Sequence, residues 1–93
     1  MARIQHIAIA SLEPEKQAAF YQSVFGFREV KRIDNPRATG VVLSDGAINI
    51  SVLKFHQDQI DHGLGFTGLH HFGVLVDDLD ATAQRCLDAG CVP

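Results

Sequence analysis

The feature that most constrains this chain is a strand-like pentad that occurs twice. His6-Ile7-Ala8-Ile9-Ala10 returns as His71-Phe72-Gly73-Val74-Leu75. In a strand, successive side chains point to opposite faces. His6, Ala8 and Ala10 therefore share one face, with Ile7 and Ile9 on the other. His71 and Gly73 likewise share a face, opposite Phe72, Val74 and Val76. Each strand joins a bulky apolar face, suited to a helix-packed core, to a face where one histidine is followed by a very small residue. A small residue beside a histidine leaves space, and space beside a donor nitrogen is what a ligand or metal site needs. A lone histidine is more often a hydrogen-bonded core residue. Two in equivalent places bring the two readings level.

The correspondence extends beyond the pentads. Residues 5–27 and 70–92 match at a constant offset of 65. Ile9 meets Val74, Glu13 meets Asp78, Glu15 meets Asp80 and Ala18 meets Ala83. Such repeats dictate architecture. The first unit reads strand, helix, strand, strand, strand, and the second stops after its helix. The expectation is one domain over 1–93, built as a first module (1–56), a linker (57–68) and the start of a second module (69–93). On this reading the chain is part of something longer, a truncated gene or a proteolytic product.

Local signals fill in the elements. Arg3 to Ala10 is the first strand. Pro14 suits the first helical position, where its missing N–H is no loss, and Glu13 and Glu15 suit the positive end of a helix dipole. Ala18, Phe20, Tyr21, Val24 and Phe25 recur at helical spacing and read as a core-packing face, closed by Gly26 as C-cap. Phe27 to Ile33 reads as a strand with imperfect alternation, and 34–38 as a turn. Gly40 to Leu43 and Ala47 to Phe55 are strands joined by Ser44-Asp45-Gly46, a hairpin signal. Asn49 and Ser51 form the polar face of the longer one. His56 and His62 fall in a glycine-rich loop and read as solvated, while Leu64 and Phe66 anchor that loop or cover an opening. A second helix follows Asp78, with Leu79, Ala83, Cys86 and Leu87 as its apolar face and Gly90 as its cap.

Composition excludes several function classes. A net charge of −3 and the lack of a Lys/Arg stripe point away from nucleic acid. No apolar run approaches the roughly 20 residues of a membrane span, and the amino terminus lacks a signal peptide's apolar region, so no secretory leader is expected. Cys86 and Cys91 are not spaced as a zinc knuckle or redox pair, so free thiols in a cytoplasmic protein are expected. With 93 residues the core is thin.

Three stretches together resemble the vicinal oxygen chelate superfamily, which holds glyoxalases, methylmalonyl-CoA epimerases, extradiol dioxygenases and bleomycin-resistance-type proteins. They are Gln5 to Ala10, Ala19-Phe20-Tyr21-Gln22-Ser23-Val24-Phe25-Gly26-Phe27, and Gly68-Leu69-His70-His71 running on to Asp80. The resemblance implies an α+β fold in which βαβββ modules form a cupped mixed sheet with helices outside. It implies one divalent metal ion (Zn, Ni, Fe, Co or Mn) inside the cup. By position the first-strand ligands are His6 and His71. Asn49 takes the last-strand place, where family enzymes usually carry Glu or Gln, and offers only a short neutral carbonyl oxygen. The resemblance implies a fourth ligand, usually Glu, at a position beyond Pro93. His70 has the opposite strand parity and is expected in the helix-side layer or the loop. No catalytic base and no organic cofactor site can be named.

The function implied is that of a lyase, isomerase or dioxygenase acting on a small molecule with adjacent oxygens. The alternative is a binding protein of the bleomycin-resistance kind, which needs no metal, or an inactive fragment. An unfinished sheet exposes unpaired backbone groups, so the expected partner is a second copy, a homodimer with or without exchanged elements.

Overall fold

The structure, a computed structural model, describes all residues 1–93. Its elements follow in the order β1 (Arg3–Ala10), α1 (Pro14–Phe25), β2 (Arg28–Asp34), β3 (Ala38–Ser44), β4 (Asn49–Phe55), β5 (Gly68–Leu75) and α2 (Leu79–Asp88). The five strands form one sheet in the order β2-β3-β4-β1-β5. β1 runs parallel to β4 and antiparallel to β5, while β2-β3-β4 is an antiparallel meander. This is the βαβββ module that the resemblance implied, with the strand and helix of a second unit added at the β1 edge.

The two strand-helix units meet about an approximate local two-fold. Ile7 pairs with Phe72, its counterpart in the repeat, while His6 pairs with Gly73 and Ala8 with His71. Each histidine thus lies across from the small residue two positions beyond the other histidine. The repeat in the sequence is a rotation in space.

Turn chemistry is local. Gly26 takes a left-handed conformation (φ 72°) and its N–H reaches the carbonyl of Gln22, ending α1. The Asp45 carboxylate accepts from the backbone N–H groups of Ala47 and Ile48 and closes the β3–β4 hairpin, with β4 starting at Asn49 rather than Ala47. These N–H groups hold its carboxyl below the usual carboxylate range. The Asp78 side chain caps α2 by accepting from Ala81 N–H. At the far end Gly90 N–H reaches Leu87 and Cys91 N–H reaches Cys86, a Schellman closure just past the last helical turn.

The core lies under α1. Ala18 is buried against Val41 and Leu43 of β3, with Tyr21 and Phe27 packed around them. A small residue at 18 lets the helix approach the sheet closely. Arg32 of β2 reaches across to Glu15 on α1 and also pairs with Glu29 at 3.3 Å. Only twelve of the 93 residues are buried, and the radius of gyration, 14.9 Å, exceeds the roughly 12 Å of a compact globule of this length. The chain is an open half-shell.

Two expectations are corrected by that openness. The helical stripe of α1 is not all core: Phe20, Val24 and Phe25 remain more than half exposed. The helix seats on its Ala18–Tyr21 side, and the neighbouring row of large residues finds no layer opposite it. The apolar side of β5 is uncovered too. Phe72 and Val74 are exposed, and α2 buries none of its residues, so Leu79 and Leu87 face solvent. Periodicity identified the right apolar faces, but nothing in this chain packs against them. Cys86 and Cys91 are exposed free thiols. No helix is long and apolar enough to cross a membrane.

Candidate functional site

The face of the sheet opposite α1 carries the site. On β1 that face presents His6, Ala8 and Ala10, and on β4 it presents Asn49, Ser51 and Leu53. The parallel register sets His6 beside Asn49 and Ala8 beside Ser51. On β2 the alternation breaks, because Glu29 pairs with Leu43 and Lys31 with Val42, skipping Val30. That bulge sends Lys31 and Ile33 to the concave side, while Arg32 reaches the helix side. His6, Asn49, Ser51 and Lys31, with Gln5, Ile33 and Val42, line a cavity of about 290 Å³. A larger groove of about 440 Å³ lies at the start of α1, between Leu12, Lys16 and Phe20. It holds no histidine and no cluster of potential ligands.

His71 stands next to the cavity on β5. Its ring is 5.5 Å from that of His6, edge to face. The His6 ring lies over Gly73, where an added Cβ would come within 2.3 Å of His6 Cε1. Burial, with smaller contributions from neighbouring His70 and His6, pushes the His71 pKa down from its ordinary value. The ring therefore favours the neutral form, the one that binds cations.

Of the two places expected for His70, the structure takes the one beside the loop. Its ring does not join the helix-side layer. It stacks on Phe55 with centroids 3.9 Å apart, and its Nδ1 lies 2.8 Å from Nδ1 of His71. The cause is a bulge: Ala8 pairs with His71 and Ile9 with Leu69, leaving His70 out of the ladder. An extra residue in one strand re-aims its side chain. His70 also borders a small space beneath the 57–66 loop, together with Phe66 and Leu64. That loop is held by Asp58, which accepts from the N–H groups of His62 and Gly63. These bonds depress the Asp58 pKa. His56 is exposed and contacts Thr39, and His62 stacks on Phe66.

The donor set fits a divalent cation in part. His6 and His71 bring two imidazoles together where small residues leave room, and Asn49 adds a neutral oxygen beside His6. No three His, Cys, Asp or Glu side chains come together in a way that could hold a metal ion by themselves. No carboxylate lines the cavity. Sequence reasoning missed Lys31 and the turn of His70, because both depend on bulges. The imperfect alternation of β2 and the His-His dipeptide were the only signals of either.

Comparison with known proteins agrees with this architecture. The sequence model of the Glyoxalase/Bleomycin resistance protein/Dioxygenase superfamily matches residues 3–92. A methylmalonyl-CoA epimerase solved with methylmalonyl-CoA and NH4+ superposes with a TM-score of 0.76 at 25% identity, over 99% of this chain and 72% of that one. A variant of the Streptomyces coelicolor methylmalonyl-CoA epimerase, in complex with 2-nitronate-propionyl-CoA, gives 0.74 at 26% identity over 97% and 73%. A hypothetical protein from Bacillus halodurans C-125 shares the fold with a TM-score of 0.79 at 18% identity, over 96% and 69%. No protein of curated function matches. The chain belongs to the glyoxalase/bleomycin resistance protein/dioxygenase superfamily.

Proposed function

We propose that this protein is a divalent-metal-dependent isomerase that moves a proton at the carbon next to a carbonyl, on a small acid or acyl thioester with adjacent oxygens. The observation that carries the reading is the His6–His71 pair, two imidazoles 5.5 Å apart across the β1/β5 seam. The similarity to methylmalonyl-CoA epimerases, at 25–26% identity over nearly the whole chain, supports the reaction class.

His6 and His71 would hold the metal ion through ring nitrogens, with the Asn49 side-chain oxygen beside them. When bound, such an ion would supply Lewis acidity to substrate oxygens and would stabilise the negative charge that develops when a base takes the neighbouring proton, a base that the lining of this cavity does not itself supply. Lys31 is the cationic side chain of the cavity. Its ammonium binds and orients an anionic group of the substrate, such as a carboxylate. Ser51 and Asn49 offer hydrogen bonds that fix the rest of a polar ligand. Gly73, lacking a side chain, leaves the space in which the His6 ring lies.

A second reading keeps the cup and drops the chemistry: a small-molecule-binding protein of the bleomycin-resistance kind. Asn49 in place of an acidic ligand, and the absence of a carboxylate in the cavity, favour it. In either case the exposed Phe72 and Val74 of β5 support self-association.

Two measurements on the purified chain separate these readings. Metal content by mass spectrometry is compared with that of a His6→Ala/His71→Ala variant. Uptake of solvent deuterium into methylmalonyl-CoA is followed alongside. Near-stoichiometric metal, lost in the variant together with deuterium uptake, is the expected result. Protein that takes up no metal even after loading, and exchanges no deuterium, overturns the isomerase reading in favour of the binding protein.

A further inference from the structure

β5 carries two consecutive histidines. In a regular strand they would face opposite sides of the sheet. The bulge against β1 cancels that alternation, because His70 is the residue left without a ladder partner. Its ring turns onto Phe55, with the two planes only 12° from parallel. Phe55 shares a face of β4 with Asn49 and Ser51. The stack holds the His70 ring so that its Nδ1 meets Nδ1 of His71 at 2.8 Å.

Two neutral imidazole nitrogens at that distance share one hydrogen: one donates and the other accepts. The direction decides what His71 can do. If His71 donates from Nδ1–H, its Nε2 keeps a free lone pair. If His71 accepts at Nδ1, its Nε2 carries the hydrogen and has no lone pair for a cation. A ligating histidine is generally oriented by a partner on its other nitrogen. Here the side-chain partner of the His71 ring is His70.

The geometry points to His70 as a positioning residue whose Nδ1 accepts the hydrogen of His71 Nδ1, fixing the tautomer that presents His71 Nε2 as a metal-binding atom. The bulge and the Phe55 stack exist together at this point in the sheet, and both serve to keep that acceptor in place. The inference rests on the reading of His71 as a cation ligand, but the tautomer can be read without any cation.

The test uses metal-free protein labelled with 15N in its histidines at pH 8, well above the ordinary imidazole pKa of about 6.5. Long-range proton–nitrogen spectra distinguish a protonated ring nitrogen from a bare one, and His71→Gln assigns the signals of His71. In the wild-type chain His71 is expected to show a protonated Nδ1 and a bare Nε2. His70→Phe keeps an aromatic ring against Phe55 but has no acceptor, and is expected to lose that preference. His70→Asn places an oxygen close to the Nδ1 position and is expected to retain it. A bare Nδ1 on His71 in the wild type overturns the inference, as does an unchanged pattern in His70→Phe.

Zinc titration by calorimetry gives the second readout. His70→Phe should bind about 10–100-fold more weakly, and His70→Asn should stay close to wild type. Equal affinity in wild type and His70→Phe sinks the positioning role. A wild-type chain with the expected tautomer but no zinc binding overturns the metal reading instead, so the two failures are told apart.

Discussion

The ring of His6 occupies the space that a side chain at Gly73 would need. A Cβ added there would lie 2.3 Å from His6 Cε1 and 2.7 Å from its Nδ1. Gly73 is therefore a packing partner of the histidine, and its lack of a side chain is the contact. Gly73→Ala should push the His6 ring aside at little expense to the fold, because the displaced atoms end a rotatable side chain. The expected outcome is a loss of divalent-metal affinity on the order of tenfold or more, with the thermal midpoint nearly unchanged. Calorimetric metal titration beside a thermal melt checks it, and unaltered affinity would remove His6 from the site.

The lowered His71 pKa gives stability a pH dependence with a definite sign. Between the depressed folded value and the ordinary 6.5, the unfolded chain binds a proton at His71 that the folded chain does not. Stability then rises with pH across that window and falls on acidification below about 6.5. Thermal melts in chelator-treated buffer from pH 7.5 to 5.5 should show this fall, and His71→Gln should flatten it. A midpoint that rises on acidification would contradict the partial desolvation of this largely exposed ring.

The core is thin enough for one residue to decide the fold. Leu43 is fully buried against Ala18. Leu43→Ala should remove about 2–5 kcal/mol from a total of roughly 5–14 kcal/mol for a chain of this length. Urea unfolding should show a midpoint displaced to much lower concentration, or a chain already partly unfolded without denaturant. A shift within experimental error would mean that the Ala18–Val41–Leu43 cluster is not what holds α1 to the sheet.

Lys31 has a narrower role. Lys31→Met keeps the stem of the side chain and removes its charge. With an anionic substrate the expected effect is a KM raised about tenfold, the size of one exposed charge-assisted contact of roughly 1.5 kcal/mol, with kcat little altered. Equal KM values in steady-state kinetics would show that the substrate's anionic group lies elsewhere.

Self-association through the uncovered β5 side is expected to be apolar in origin. Phe72 and Val74 stand out of the sheet at 57% and 49% exposure. Light scattering at micromolar concentration should give a dimer for the wild-type chain and a monomer for Phe72→Lys/Val74→Lys. A monodisperse wild-type monomer would remove this expectation.

Much of this arrangement was legible in the residues. Pro14 and Gly26 bracket α1, Asp45-Gly46 marks the hairpin, and the offset between His6 and His71 anticipates the local two-fold. What was hidden traces to two physical causes. A strict period of two assumes an unbroken ladder, and bulges at Val30 and His70 moved Lys31 and His70 to the concave side against that count. An apolar stripe, in turn, says which side of a helix prefers burial but not whether a layer is present to bury it. Phe20, Val24 and Leu87 are apolar in the expected pattern and exposed all the same.

The interior position of β1 also sets an order of events. It lies between β4 and β5, and both neighbours come from far along the chain, so neither edge can be zipped by a short turn. Closing such long loops is entropically slow, and contacts of this kind tend to form late. The β2-β3-β4 meander, joined by tight turns, can assemble first. The His6–His71 pair then comes into being only at the last long-range closure. Metal uptake, measured against time during refolding, would serve as a clock for the end of folding rather than for its beginning.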